Sequence, residues 1–150
     1  MVLLPQTTEY ALKAVLRVAR RYPRAVPAAT LAAEINAPAN YLAKTLSQLV
    51  RAGVLVATRG PAGGFRLAES PQHVILEQIV RVFDRREAHR CLLGDGTCGS
   101  VPDCPVHARW SPVGVIVDDF FRSTTIADLT PSPSDPSSSS KTSNRSKRSS

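Results

Sequence analysis

The sequence predicts a mainly α fold with a small β-hairpin wing, that is, a winged helix-turn-helix followed by a C-terminal dimerisation helix. Three observations predict it. Apolar residues recur at helical spacing up to Gly53, a Gly-rich loop then separates two short strand-like segments, and a further helical stripe of apolar residues runs from Val113 to Phe121.

Thr7 or Thr8 is placed to cap a first helix reaching about Tyr22, with Ala11, Val15, Val18 and Tyr22 on its apolar face and Lys13, Arg17, Arg21 and Arg24 on the other side. Pro23 and Pro27 bracket the loop that ends it. A second helix covers about Ala28 to Ile35, with Leu31 and Ile35 facing inward. Asn36-Ala37-Pro38 then makes a tight connection to a third helix, from about Ala39 to Ala52, and Gly53 sits where a helix C-terminal left-handed residue belongs. Val54–Thr58 and Phe65–Ala68 read as strands joined by Arg59–Gly64. A fourth helix from about Val74 to Phe83 buries Ile75, Ile79, Val82 and Phe83. After a cysteine-bearing loop, Val113, Ile116, Val117, Phe120 and Phe121 form a stripe that needs a partner, and a second copy of the chain is the expected one. Ser111 is expected to cap this helix with Pro112 at its first position, because proline breaks a helix running on from Cys104.

The chain thus divides into a winged helix-turn-helix (1–85), a cysteine-rich loop (86–110), a dimerisation helix and C-terminal segment (111–130), and a Ser/Pro/basic tail (131–150). The tail has no apolar side chain larger than proline, so it is expected to be disordered. No apolar run approaches the roughly 20 residues of a membrane-spanning helix, and Met1–Pro5 lacks the features of an export signal. Three cysteines, an odd number, argue against a disulfide framework and for a reducing compartment, so the cytoplasm is the expected location.

Charge is uneven along the chain. Residues 1–90 carry 13 Lys/Arg against six Asp/Glu, whereas residues 91–130 carry two against five. A basic N-terminal part suits a polyanion. On the third helix, Leu42, Leu46, Leu49 and Gly53 fall on one side, and Asn40, Lys44, Ser47 and Arg51 on the other. A solvated amphipathic face explains that division equally well when taken alone. The hairpin tip adds weight to double-stranded DNA as the partner: Gly60, Gly63 and Gly64 permit close backbone approach, and Arg59 and Arg66 flank them with charge. In such a fold the second helix of the pair enters the major groove, where asparagine suits adenine and lysine suits guanine.

Leu46, Leu49, Gly53 and Val56, followed by Arg59-Gly60-Pro61-x-Gly63-Gly64-x-x-Leu67, resemble the bacterial regulators typified by IscR and NsrR, the Rrf2 family. Glu9-Tyr10-Ala11-Leu12 and Thr125-Ile126-Ala127-Asp128-Leu129 extend the resemblance over about residues 3–130. It implies a homodimeric transcription regulator on a near-palindromic operator, with Asn40, Lys44 and Ser47 reading the major groove and Arg59 the minor groove. Ala43, small and neutral in the middle of the reading helix, departs from better-known members.

Cys91-x6-Cys98-x5-Cys104-x2-His107 places four soft or borderline ligands within 17 positions, with Gly94, Gly96 and Gly99 between them. A helix starting near Cys104 puts its thiolate and the His107 imidazole on one face. The bland alternative, three small buried hydrophobes, fits poorly, because Cys91 and Cys98 lie in a polar, Gly-rich stretch. Zinc sites use closer cysteine pairs, whereas three cysteines and a histidine suit a 2Fe–2S cluster. Cys104-Pro105-Val106-His107-Ala108-Arg109-Trp110 resembles the IscR branch, in which three cysteines and a histidine ligate 2Fe–2S. Glu9, where other branches supply a carboxylate from the partner subunit, is the alternative fourth ligand. His73 and His89 read as surface residues.

The expected mechanism is DNA affinity set by the state of the cluster, sensing redox, nitric oxide or iron–sulfur status. A cluster-free thiol switch of the same fold is the alternative. A zinc-binding protein and a small electron-transfer iron–sulfur protein are further alternatives, and the second has no use for a wing and a reading helix. No third orienting group accompanies the Cys/His neighbours, so an enzyme is not expected.

Overall fold

The computed structural model describes residues 4–84, 92–93 and 104–130. Its elements are α1 (Gln6–Ala19), α2 (Ala28–Ile35), α3 (Ala39–Arg51), β1 (Leu55–Thr58), β2 (Gly64–Leu67), α4 (Leu76–Phe83), α5 (His107–Ser123) and α6 (Ile126–Leu129). The tail, 131–150, lies outside the described residues.

Helix α1 is the element around which the others gather. Its buried residues Ala11, Ala14, Val15 and Val18 pack against α2, α3, α4, β2 and α6. The small alanines let neighbouring helices come close, while Leu31, Leu42, Leu46, Leu49, Leu55, Leu67, Ile79 and Ile126 fill the space between. The helix begins at Gln6 after Pro5, not under a threonine cap. Pro5 pre-sets the entry dihedral and its carbonyl accepts the Glu9 N–H, so Thr7 and Thr8 fall inside the first turn and Thr8 is fully buried. The other end also differs from expectation. Pro23 disfavours helical backbone at Tyr22, so α1 stops at Ala19, two turn bonds follow, and Tyr22 is exposed rather than part of the apolar face.

Helix α2 ends at Asn36, whose left-handed backbone (φ 53°) makes the tight turn into α3. Gly53, at φ 78°, follows α3 and is exposed, so it adds nothing to the buried side of that helix. Strands β1 and β2 pair antiparallel from Leu55↔Leu67 to Thr58↔Gly64. Val26, just before α2, bridges Phe65 through two backbone bonds of 2.9 Å, which ties the hairpin to the helix-turn-helix.

The chain returns to this body after α5. Val74 and Ile75 are extended, not the start of α4, because their backbone pairs with Thr124–Ile126: Leu76 N–H reaches Thr124 at 3.0 Å and Ile126 N–H reaches Val74 at 2.8 Å. In α4 the fully inward residues are Leu76, Ile79 and Val80, and Ile75, Val82 and Phe83 are only half-buried. Thr125 and Asp128 cap α6 reciprocally, the Thr125 N–H donating to the Asp128 carboxylate (2.8 Å) and the Asp128 N–H to the Thr125 hydroxyl (3.2 Å). The Thr125 hydroxyl also donates to the Asp128 carboxylate at 2.7 Å, and this bond, together with the one from the Thr125 N–H, holds the carboxyl below the usual carboxylate range.

Helix α5 runs unbroken through Pro112 from His107 to Ser123, with no new start at Ser111. Pro112 lies in its second turn and forfeits one backbone bond, to the Ala108 carbonyl. The C-terminal half is held independently: Phe121 is buried and the Arg122 guanidinium meets the Glu77 carboxylate at 3.1 Å. No described helix is long and apolar enough to cross a membrane.

Candidate nucleic-acid interface and cysteine segment

Helix α3 divides cleanly. Leu42, Thr45, Leu46 and Leu49 are buried, whereas Asn40, Lys44, Ser47 and Arg51 are exposed along one line of the opposite face. The line follows from 3.6 residues per turn, since positions 40, 44, 47 and 51 fall within about 60° of one another. The Ser47 hydroxyl donates to the Ala43 carbonyl at 2.9 Å, so its remaining capacity toward an outside group is as an acceptor.

The cations of this face stand apart from those of α1. Arg17 of α1 and Arg21 of the turn after it converge on Glu34 of α2, the closest contact being 2.5 Å, and Lys13 pairs with Glu9. The hydrogen bond from Arg21 holds the Glu34 carboxyl below the usual range. Among the described residues no carboxylate neutralises Lys44, Arg51 or Arg59. Unpaired cations on one face are the electrostatic footprint a phosphate backbone requires.

At the hairpin tip Arg59, Gly60, Pro61 and Ala62 are exposed. Gly60 has φ 103° and open space around it. Gly63 and Gly64 have an internal reason to lack a side chain. A Cβ on Gly63 collides with the Thr58 and Gly60 carbonyls, and one on Gly64 collides with the Val26 carbonyl where the hairpin meets that segment. The turn chemistry therefore serves the wing's own geometry and leaves Arg59 exposed at the tip.

The stripe on α5 splits. Phe121 is buried and Val117 half-buried over α4, but Ile116 is 68% exposed, Phe120 49% and Val113 42%. Val115, which the stripe does not include, is also exposed. The described part of the chain covers only one side of this helix.

Cys91, Cys98 and His89 lie outside the described residues. Cys104 is a half-buried free thiol in the turn before α5, and His107 is the first residue of that helix. The helix does not begin at Cys104. Instead the His107 N–H donates to the Cys104 carbonyl at 3.2 Å, a turn that brings the two backbone positions together. Among the described residues no three potential metal donors come together. Glu9 is exposed in the first turn of α1, 4.0 Å from the Lys13 ammonium, and His73 is exposed beside Ser70.

Sequence reasoning missed Tyr41, which lies in the first turn of α3 but reaches α1: its ring meets Tyr10 edge-on at 5.8 Å and its hydroxyl contacts that of Thr7. Helical periodicity places it beside the polar stripe, and only the packing of α1 on α3 shows its partner.

A family model, Rrf2, described as an iron-dependent transcriptional regulator, matches residues 4–132. A protein of Aquifex aeolicus bearing the name of an HTH-type transcriptional regulator is 34% identical over 126 residues, 82% of this chain and 88% of that one. The HTH-type transcriptional regulator IscR of Vibrio campbellii is 29% identical over 91 residues, 60% of this chain and 54% of its own length, so the match spans about half of that relative. Among solved structures, CymR (YrzC), the global cysteine regulator of B. subtilis, superposes with a TM-score of 0.67 at 24% identity, covering 86% of this chain and 96% of that one. IscR of T. potens gives 0.67 at 20% identity, with 85% of each chain covered. At these identities the structural likeness establishes the winged-helix fold.

Proposed function

The chain belongs to the Rrf2 family of transcriptional regulators, and on that premise we propose that it binds a near-palindromic DNA operator as a homodimer, with its affinity set by a 2Fe–2S cluster. The observation that carries the DNA reading is the division of α3, with four apolar or bonded residues inside and Asn40, Lys44, Ser47 and Arg51 outside, beside an unpaired Arg59. In this reading Asn40, Lys44 and Ser47 face base edges, Arg51 a phosphate, and Arg59 the minor groove, with Gly63 and Gly64 keeping the wing backbone low. Such a protein acts where bacterial DNA is, in the cytoplasm.

A second copy covers α5. Val113, Ile116 and Phe120 face outward along one side of a helix whose other side, through Val117 and Phe121, belongs to the chain's own body. Two such faces brought together bury apolar surface and set the separation of the two α3 helices, as a two-fold operator demands.

The donor set of Cys91, Cys98, Cys104 and His107 fits 2Fe–2S by its chemistry, three thiolates and an imidazole, and one backbone turn joins Cys104 to His107. The cluster, when bound, supplies a redox couple and a tie between segments. The chain's contribution is position: Cys104 sits at the foot of α5, so what holds it bears on the first turn of the dimer helix. A shift between two dimer geometries follows if ligation favours one of them. Glu9 is the alternative fourth ligand, and releasing it from Lys13 is then part of ligation.

Anaerobic purification with an absorption spectrum and an iron and sulfide assay tests the cluster. A coloured protein with iron and acid-labile sulfide in equal amounts, lost in each Cys→Ala variant, is expected. A spectrum shifted by Glu9→Ala and not by His107→Ala reassigns the fourth ligand. A colourless, metal-free protein whose DNA binding responds to thiol oxidants identifies a cysteine switch instead, and stoichiometric zinc also rules out the iron–sulfur reading. None of these outcomes touches the DNA interface, which rests on α3 and the wing.

A further inference from the structure

Helix α3 has no side-chain cap: Pro38 occupies the N-cap position and makes no capping bond. Yet its first turn carries Asn40 and leads to Lys44, the residues that face base edges. Besides the buried Leu42, Tyr41 ties this turn to α1 from outside the helix. By helical geometry Tyr41 points about 100° away from Asn40, toward α1 rather than the groove. There its hydroxyl contacts the Thr7 hydroxyl and its ring packs edge-on against Tyr10. Tyr10 is itself held: the Gln6 amide donates to its hydroxyl at 3.3 Å and the Lys13 ammonium lies 5.9 Å from its ring centre. Within α3, the Thr45 hydroxyl donates to the Tyr41 carbonyl at 3.1 Å, which secures the backbone of the same turn.

We propose that Tyr41 is a positioning residue for sequence recognition, setting the angle at which the N-terminal turn of α3 meets the bases by anchoring it to the first turns of α1. The inference rests on the DNA-binding reading above. A base contact is directional, so a small rotation of Asn40 and Lys44 weakens binding to the right sequence. Attraction to phosphates depends on distance and charge and is little altered. Tyr41 is 40% exposed, so a direct contact between its hydroxyl and DNA is the competing role.

The full chain is used to select a preferred duplex from a randomised library. Its Kd is then measured at fixed salt for that duplex and for a scrambled one, in the natural chain and in Tyr41→Phe, Thr7→Val, their combination, and Thr7→Ser. Tyr41→Phe and Thr7→Val are each expected to lower the preference for the selected duplex by about threefold to tenfold, the span of one hydrogen bond. The double variant should lose no more than the worse single one, Thr7→Ser should regain the preference, and scrambled-duplex affinity and melting temperature should hold steady. A loss with Tyr41→Phe but none with Thr7→Val means that the hydroxyl touches DNA itself and overturns the proposal. Equal losses on both duplexes with a lowered melting temperature show a merely structural role and overturn it too. If the natural chain selects no sequence, the DNA reading fails and this inference fails with it, whereas a selected site indifferent to both variants refutes the inference alone.

Discussion

Helix α3 turns its apolar side chains inward and its polar ones outward, whereas α5 carries apolar side chains on both sides. Leu42, Leu46 and Leu49 are all fully buried within one chain. On α5 the large apolar residue turned inward is Phe121, buried at 6% exposure, and Ile116, the most exposed of its large apolar residues, has 68% of its surface open. Both helices are amphipathic in sequence, and the structure separates what that means in each. The first is finished by its own fold and offers its polar face to something else. Among the described residues, nothing covers the outward side of the second.

That contrast predicts effects of different kinds. Leu46→Ala, a fully buried truncation, should cost about 2–5 kcal/mol of stability, seen as a lower midpoint in urea at any protein concentration. Marginal domains have only about 5–15 kcal/mol to lose, so DNA binding should fall with it. Ile116→Glu combined with Phe120→Glu should weaken self-association by about a hundredfold, roughly 3 kcal/mol, and leave the helical circular dichroism of the dilute chain in place. Sedimentation equilibrium checks this. A dimer that survives both charges places the partner surface elsewhere.

Changes on the outward face of α3 should spare the fold altogether. Lys44→Ala is expected to relax preference at one base position per half-site by about 1–3 kcal/mol, read by competition with single-base variants of the selected duplex. Arg59→Ala should weaken binding without moving that position. Equal losses on every sequence for both variants show that they contact only phosphate.

The smallest effect belongs to an exposed pair that neither helix surface uses. The bond from Arg21 lowers the Glu34 pKa, so the pair adds stability that is present above the ordinary carboxylate range and disappears as pH falls through the lowered value. Glu34→Gln should therefore barely change melting at neutral pH and should make the acid loss of stability, below about pH 4, less steep. An unchanged acid limb shows that the pair contributes nothing.

How far the sequence could be read follows from where each signal comes. Helix α2 spans the expected Ala28–Ile35, and the turn at Gly53 and the hairpin loop lie where glycine and proline chemistry puts them, because those signals are local. The fold class was legible for the same reason. Val74 and Ile75 look helical by spacing but are extended, since their pairing partner is Thr124–Ile126, about fifty residues on. Pro112 reads as a helix start and is not one, because support for α5 comes from Phe121 and Arg122 at its other end. For the candidate interface, Asn40, Lys44, Ser47 and Arg51 were visible as a stripe. The contacts of Tyr41 were not, because they depend on how α1 crosses α3.

The arrangement proposed for the two helices is a pair of chains, held through α5, that presents two α3 helices to one duplex. Native mass spectrometry of the full chain on its selected duplex measures this directly. Two chains per duplex, a selected sequence with near two-fold symmetry, and loss of the two-chain species in the Ile116→Glu, Phe120→Glu variant are expected. One chain bound to an asymmetric site, or a two-chain complex indifferent to those substitutions, contradicts it.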